Sequence, residues 1–158
     1  MLWTFAQWSE ATWIGAALRD SYWLFPFVEF FHLAGLAIIG GAVLVVDLRL
    51  LGLGLRKTPV AQLAQDAQPF LVGSLIVMLA SGFALYASEA TKAYASPAFW
   101  IKIVSLFLVI IFTFTVRRKV TLTEERRVSP WASKGTAIVS IALWSLVAWG
   151  GRWIGFGG

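Results

Sequence analysis

Four residues of this chain have side chains that could bind a cofactor or transfer a proton in an apolar environment. The first of them is His32, the only histidine of the chain. His32 lies eight residues inside an apolar stretch that begins at Leu24, and Glu29 precedes it by about one helical turn. An ionisable side chain at membrane depth is costly, so its presence predicts a functional site. An imidazole there could ligate haem iron or take up a proton near neutral pH.

Lys102 supplies a second ionisable group at a similar depth. It lies five residues beyond Pro97, which places its Cα about 8 Å below the helix end, whereas His32 is about 12 Å below the same surface. We therefore predict that both belong to one layer, in which Glu29 also faces the bundle interior and either orients the imidazole or tunes its charge. Two alternatives stay open for Lys102: its stem carries the ammonium outward to water, or it forms an ion pair with Glu29.

Met78 is the fourth candidate, in the next apolar segment and at a similar or slightly greater depth. Its thioether could be an axial haem ligand, although a methionine in the middle of a span more often fills space. Because the chain has one histidine, a haem held by two histidines of a single chain is excluded, and so is an HExxH zinc site. A homodimer could supply a second imidazole.

The composition indicates a membrane protein. Of the 158 residues, 59% are hydrophobic and 13% are charged, against roughly a half and a quarter in soluble proteins. The length allows one compact helical domain over residues 1–158. The absence of cysteine excludes disulfides, thiolate metal sites and c-type haem. No nucleic-acid-binding motif occurs, so no nucleic-acid partner is predicted.

The positions of the apolar segments predict an all-α fold, an integral membrane four-helix bundle. Four segments reach the length of about 20 residues that a bilayer requires, and they cover about 24–46, 70–88, 97–116 and 131–153. Hydroxyl residues before Pro59, Pro97 and Pro130 indicate helix starts. Pro69 lies where the second helix enters the apolar core, and a kink is predicted there.

The N-terminal residues, about 4–19, predict an amphipathic helix on the outer membrane surface. The segment from Thr4 to Gln7 matches a capping box, which would start this helix. Membrane anchoring is the favoured role, with a docking surface as the alternative.

The basic residues predict the orientation of the bundle. Nine of them lie in the two connections on one side and three on the other; the nine are Arg49, Arg56, Lys57, Arg117, Arg118, Lys119, Arg126, Arg127 and Lys134. The positive-inside rule therefore places both termini outside and both basic connections in the cytoplasm, in a bacterial inner membrane. Asp47 and Arg49 are predicted to fix the first connection and bind lipid headgroups, and pairing of either with the last connection stays open.

Three motifs carry a resemblance to known proteins: Glu29-Phe-Phe-His32-Leu-Ala-Gly35, Asp47-Leu-Arg49-Leu-Leu-Gly52 and Phe99-Trp-Ile-Lys102. With them the chain resembles an uncharacterised family of short bacterial four-helix membrane proteins. The layout is more distantly similar to HemJ-type protoporphyrinogen oxidases and CopD-like membrane domains. In the HemJ type, a first-span histidine and a later lysine form the key pair and haem b is bound, which implies a tetrapyrrole-compatible pocket here. The aromatic-rich sequence after the HemJ histidine is absent, so the oxidase activity is not carried over.

Three functions compete at this stage. The first is a b-type haem redox protein, in which His32 ligates iron, Lys102 binds a propionate, and electrons pass to a quinone or a periplasmic partner. The second is a non-catalytic subunit or scaffold that docks a larger membrane complex, with the buried polar layer fixing the helix register. The third is a small transporter or a proton pathway, in which His32 relays protons with Glu29.

Overall fold

The computed structural model describes residues 1–55, 57–123 and 127–154, and across these ranges the secondary structure is helical with no strand. Two short helices, α1 (Leu2–Ala11) and α2 (Trp13–Asp20), precede the long helices α3 (Leu24–Leu50) and α4 (Val60–Ser88). The short α5 (Ala90–Ala95) leads to α6 (Pro97–Phe112), a π-helical turn (Thr113–Arg117), α7 (Arg118–Leu122) and the long α8 (Pro130–Ile154). Arg56 and Arg126, two of the nine residues in the orientation prediction, lie outside the described residues.

The predicted fold class is confirmed, because the described chain contains four helices that are long and apolar enough to cross a membrane. Each helix extends beyond its apolar segment. The second of them, α4, begins at Val60 and carries Pro69 in its interior. The helix continues through Pro69 because a proline removes only one backbone hydrogen-bond donor, and the turns on either side keep their own hydrogen bonds. Ser129 caps α8 by accepting a bond of 3.1 Å from the Ala132 amide, whereas Ser96 makes no side-chain cap at α6.

The N-terminal segment differs from the single helix predicted for residues 4–19. It breaks at Thr12, whose extended backbone ends α1 and whose hydroxyl caps α2 by accepting from the Gly15 amide at 3.3 Å. The helix begins at Leu2, so the predicted capping box at Thr4 is wrong. Glu10 instead accepts bonds from the Thr91 amide and hydroxyl at 3.0 and 2.8 Å, which ties α1 to α5.

Two ends of the bundle are distinguished by their side chains. The aromatic end carries α1, α2, α5 and the adjoining ends of the long helices, with seven of the nine tryptophans: Trp3, Trp8, Trp13, Trp23, Trp100, Trp149 and Trp153. The basic end carries the α3–α4 and α7–α8 connections. Since consecutive spans alternate in direction, residues far apart in sequence meet at each end.

Helix packing creates an apolar core in the middle of the bundle. Its buried members come from all four spans: Ile39, Val43, Leu71, Leu75, Met78, Val109, Trp144 and Val147. α3 packs along α4, and α6 packs along α8. Gly35 permits the first of these contacts, because a Cβ at this position would lie 3.2 Å from the Ser74 carbonyl oxygen.

A buried ion pair joins α3 to the π-helical turn on the basic side of this core. Arg117 Nε donates to Asp47 Oδ1 at 2.9 Å, and Arg117 Nη2 donates to the Val43 carbonyl at 3.2 Å. Asp47 is fully buried and Arg117 is 6% exposed. The wider π-helical turn changes the angular position of the residues that follow it, and Arg117 at its end lies inside the bundle. The sequence left this pairing open, and the structure assigns it to Asp47 and Arg117.

Removing either partner of this ion pair should destabilise the bundle strongly. Asp47→Asn or Arg117→Gln alone leaves an uncompensated buried charge or an unpaired polar group, which typically costs about 3–5 kcal/mol of unfolding free energy. The double variant should recover part of that loss. Thermal unfolding in detergent measures both effects, with Arg118→Gln as the control because Arg118 is the exposed neighbour. Single variants as stable as the parent protein would contradict a stabilising role.

Candidate functional site: a histidine–lysine pair in the aromatic half

His32 belongs to α3, and its side chain lies between α3 and α4. The residue is buried, with 9% of its surface exposed. It faces the turn of α4 that contains Met78, Ser81 and Gly82. A Cβ at Gly82 would come within 3.0 Å of His32 Cε1 and 3.4 Å of Nδ1. A glycine is therefore needed here to admit the imidazole between the two helices.

The hydrogen bonds of His32 determine which ring nitrogen carries the proton. Nδ1 lies 3.1 Å from the Met78 carbonyl oxygen and 3.0 Å from Ser81 Oγ. A carbonyl oxygen can only accept, so Nδ1 must be the donor. The Ser81 hydroxyl donates to the Val77 carbonyl at 2.6 Å, which leaves its oxygen free to accept from Nδ1. In the neutral ring, Nε2 consequently holds the lone pair.

That lone pair faces Lys102 on α6. Lys102 Nζ lies 3.4 Å from His32 Nε2, a long contact in which the lysine donates. The predicted common layer of His32 and Lys102 is thereby confirmed. The lysine stem runs along two glycines of α8: a Cβ at Gly150 would lie 3.0 Å from Lys102 Cβ, and one at Gly151 would lie 3.4 Å from Nζ.

Glu29 does not belong to this layer, and the prediction that it faces the bundle interior is wrong. Its side chain is exposed, and among the described residues no hydrogen bond or ion pair joins it to His32 or Lys102. Residues three apart on a helix differ by about 60° in direction, and Glu29 lies one turn closer to the aromatic end. Neither the orientation of the imidazole by Glu29 nor a Glu29–Lys102 ion pair occurs here.

Met78 contributes its backbone to the site and its side chain to the core. Its carbonyl oxygen accepts from His32 Nδ1, whereas its side chain is 2% exposed and belongs to the apolar core. Met78 and His32 are thus neighbours, but they meet through the Met78 backbone carbonyl and not through the thioether that the sequence suggested.

The remaining predicted residues lie elsewhere. Asp47 is 15 residues from His32 on the same helix, which corresponds to about 22 Å at the α-helical rise, and the apolar core lies between them. Arg49 is at the basic end, where Nε donates to the Thr58 carbonyl at 2.9 Å. Pro69 lies inside α4 in the basic half.

Two properties define what this pair can do chemically. His32 directs the electron pair of Nε2 toward Lys102, while a carbonyl holds the other ring N–H, as is usual for a metal-ligating histidine. Lys102 is half-buried, and no ion pair among the described residues connects it to a carboxylate. A cation that is partly withdrawn from water is stabilised by an anionic partner, so the site suits a ligand that carries both an electron-pair acceptor and a negative charge.

The sequence missed the residues that support the pair, namely Ser81, Gly82, Gly150 and Gly151. One signal was present: Ser74, Ser81 and Ser88 recur every seven residues on α4, and all three are buried. Each serine returns a hydrogen bond to a carbonyl of the preceding turn, which satisfies the hydroxyl inside an apolar segment.

Comparison with known proteins identifies a family for this chain. The model of DUF6644, a family of unknown function, matches residues 3–157, so the chain belongs to that family. The predicted membership of an uncharacterised family is therefore confirmed. No curated protein and no solved structure matches the chain, and the distant resemblance to HemJ-type and CopD-like proteins gains no support.

The contact between Gly82 and His32 yields a matched pair of variants. Gly82→Ala should displace the imidazole and destabilise the protein by about 1–3 kcal/mol through overpacking. Gly73→Ala, on the same helix, meets nothing within 4 Å and should be neutral or stabilising by up to about 1 kcal/mol. Thermal unfolding measures the difference, and the nitrogen NMR signals of the single histidine report the displacement. Equal behaviour of the two variants would contradict the close packing.

Proposed function

We propose that the chain is an integral membrane redox protein that binds haem b in the aromatic half of the bundle. The observation that supports the proposal is the hydrogen bond from His32 Nδ1 to the Met78 carbonyl, because it leaves Nε2 as the ring nitrogen that could ligate iron. Haem would supply one-electron chemistry. The protein itself would hold the haem, exclude water from it and neutralise the charge of its propionates.

The donor set favours a macrocycle over a bare metal ion. No group of three His, Cys, Asp or Glu side chains that could hold a metal ion occurs within the described residues. His32 would therefore be a single protein ligand, which suits a group that brings its own equatorial ligands. Binding at Nε2 requires Lys102 to leave its 3.4 Å contact, and its flexible four-carbon stem permits that movement.

Lys102 is the proposed partner of a propionate. A carboxylate would neutralise a cation that has no acidic partner among the described residues. Met78 is a weaker candidate for the second axial position, because its side chain is packed into the core. A second imidazole would have to come from another copy of the chain, so this proposal includes a homo-oligomer as one form of the haem site.

A second candidate function is a non-catalytic membrane subunit or scaffold. The observation in its favour is that both ring nitrogens of His32 have partners within the chain, as expected of a satisfied polar layer that fixes helix register. Exposed tryptophans at the aromatic end, such as Trp13 at 79% and Trp23 at 85%, would then contact headgroups or a larger complex.

The proposal places the aromatic end on the outer side of a bacterial inner membrane, with both termini outside. The excess of basic residues at the opposite end supports this orientation. The haem site would then be close to the periplasmic surface, where a quinone in the membrane or a periplasmic protein could exchange electrons with it.

Visible spectra of the purified protein test the haem proposal. After expression with added haem, we expect a Soret band whose position shifts on dithionite reduction, and His32→Ala should abolish it because the axial ligand is lost. Lys102→Met should retain the band and change the reduction potential. Gly73→Ala, on α4 but with open space around it, is the control and should keep the spectrum of the parent protein.

A folded and colourless preparation from haem-supplemented cells would overturn the haem proposal. In that case the scaffold function predicts that His32→Gln keeps the thermal stability close to that of the parent, since an amide can still donate and accept. It also predicts co-purification with a larger membrane complex.

Single-cysteine labelling tests the orientation, because the chain contains no cysteine of its own. Tyr22→Cys and Trp131→Cys introduce thiols at positions that are 95% and 86% exposed at opposite ends of the bundle. We expect a membrane-impermeant maleimide to label the first variant in cells with a permeable outer membrane, and the second only after the inner membrane is opened. The reverse pattern would invert the proposed topology.

A further inference from the structure

The buried polar side chains in the basic half of the bundle are not fully satisfied by hydrogen bonds within the chain. Among the described residues, four buried side-chain atoms have no hydrogen-bond partner: Asp47 Oδ2, Thr113 Oγ1, Ser140 Oγ and Trp144 Nε1. In the same order, the exposures of these residues are 0, 5, 0 and 7%. Buried polar groups are normally hydrogen-bonded, so this set indicates a bound partner from outside the chain, either water or an ion.

The four atoms lie around one feature, the Asp47–Arg117 ion pair. Asp47 accepts from Arg117 Nε through Oδ1 at 2.9 Å, which leaves Oδ2 for another donor. Ser140 of α8 faces the Asp47 carboxylate, although the two groups do not have hydrogen-bond geometry. Thr113 precedes Arg117 by four residues in the π-helical turn. Trp144 follows Ser140 by four residues on α8, which runs in the opposite direction, so both lie about one turn nearer the middle of the bundle.

A cavity of about 40 Å³ lies between α4 and the π-helical turn. Thr113 and Arg117 line it, together with Gln68 of α4 and the exposed Arg118. The volume exceeds the roughly 10–15 Å³ that one water molecule needs. Because the buried Arg117 and the exposed Arg118 share this lining, the cavity extends from the ion pair toward the surface of the bundle at its basic end.

The chemistry of the four atoms identifies the class of ligand. An ionised carboxylate such as Asp47 can only accept a hydrogen bond, and the indole of Trp144 can only donate one. A metal cation could not accept from the indole, and an anion could not donate to the carboxylate. The ion pair is neutral as a unit, so it has no excess charge to attract either. A water molecule donates and accepts, and it therefore matches both kinds of group.

We propose that the basic half of the bundle contains a hydration site, in which bound water completes the hydrogen bonds around the Asp47–Arg117 pair. Water donates to Asp47 Oδ2 and exchanges hydrogen bonds with the hydroxyls of Thr113 and Ser140. The cavity between α4 and the π-helical turn admits this water from the basic end. The apolar core lies between the hydration site and His32, so the proposal does not rest on haem binding.

Radiolytic footprinting of the full-length protein in detergent tests for this water directly. An X-ray pulse splits water into hydroxyl radicals, and a radical formed from a bound water oxidises the side chains that touch it. Tandem mass spectrometry then locates the added oxygen. We expect Trp144 to be oxidised at 7% exposure. Met78 is the control, because methionine is highly reactive but this one is 2% exposed in the apolar core, so it should stay unmodified.

Thr113→Val tests the same site through stability, because valine has nearly the shape of threonine and lacks the hydroxyl. With water bound, the variant loses one hydrogen bond and should melt about 2–4 °C lower. Without water, it would remove an unpartnered buried hydroxyl and should melt higher. The sign of the shift therefore distinguishes the two states. The control is Thr115→Val in the same turn, where the hydroxyl is exposed and donates to the Ile111 carbonyl at 2.6 Å, and its melting temperature should stay close to that of the parent.

Three results would overturn the proposal. The first is equal modification of Trp144 and Met78, and the second is a higher melting temperature for Thr113→Val than for the parent protein. The third is a melting temperature of the parent that rises in sodium chloride relative to equimolar choline chloride while that of Thr113→Val does not, because the ligand would then be a cation. None of these measurements depends on the haem spectrum, so failure of either proposal leaves the other open to its own test.

Discussion

Hydrocarbon offers no hydrogen-bond partners, so polar side chains between membrane-spanning helices must satisfy one another. This constraint determines how the four long helices of the chain are joined. In the aromatic half, His32 connects α3 to the Met78 carbonyl of α4 and to Lys102 of α6. In the basic half, the Asp47–Arg117 pair connects α3 to the π-helical turn. Each layer depends on a definite axial position of its helices, because a displacement of one turn would leave charged groups without partners.

The separation of the two polar layers bears on function. Between His32 and Asp47, the described part of the bundle contains a core of apolar side chains from all four spans. Such a core separates the two polar layers along the bundle. The chemistry proposed for His32 therefore belongs to the aromatic half of the bundle.

Several features could be predicted because they depend on local sequence. Composition and segment length predict four spans, and Pro97 and Pro130 mark the first residues of α6 and α8. Depth counted along the helices places His32 and Lys102 in one layer, since both counts start from the same surface. The prediction for Glu29 failed for an equally physical reason: an acidic side chain near a helix end can reach water, so it need not turn inward. The break at Thr12 was missed because an amphipathic pattern continues across a change of helix direction.

The sequence by itself determined the class of the protein, the number of its spans, the depth of its single histidine and its membership of one family. These follow from composition, periodicity and motifs, which are properties of contiguous residues. Only the tertiary structure decided that a carbonyl of α4 fixes the imidazole tautomer, that Gly82 and Gly150 make room for the pair, and that Arg117 is the partner of Asp47. Those contacts join residues 46 to 70 positions apart. Their formation depends on how each helix is rotated and shifted against its neighbours, and the hydropathy of the sequence does not determine either.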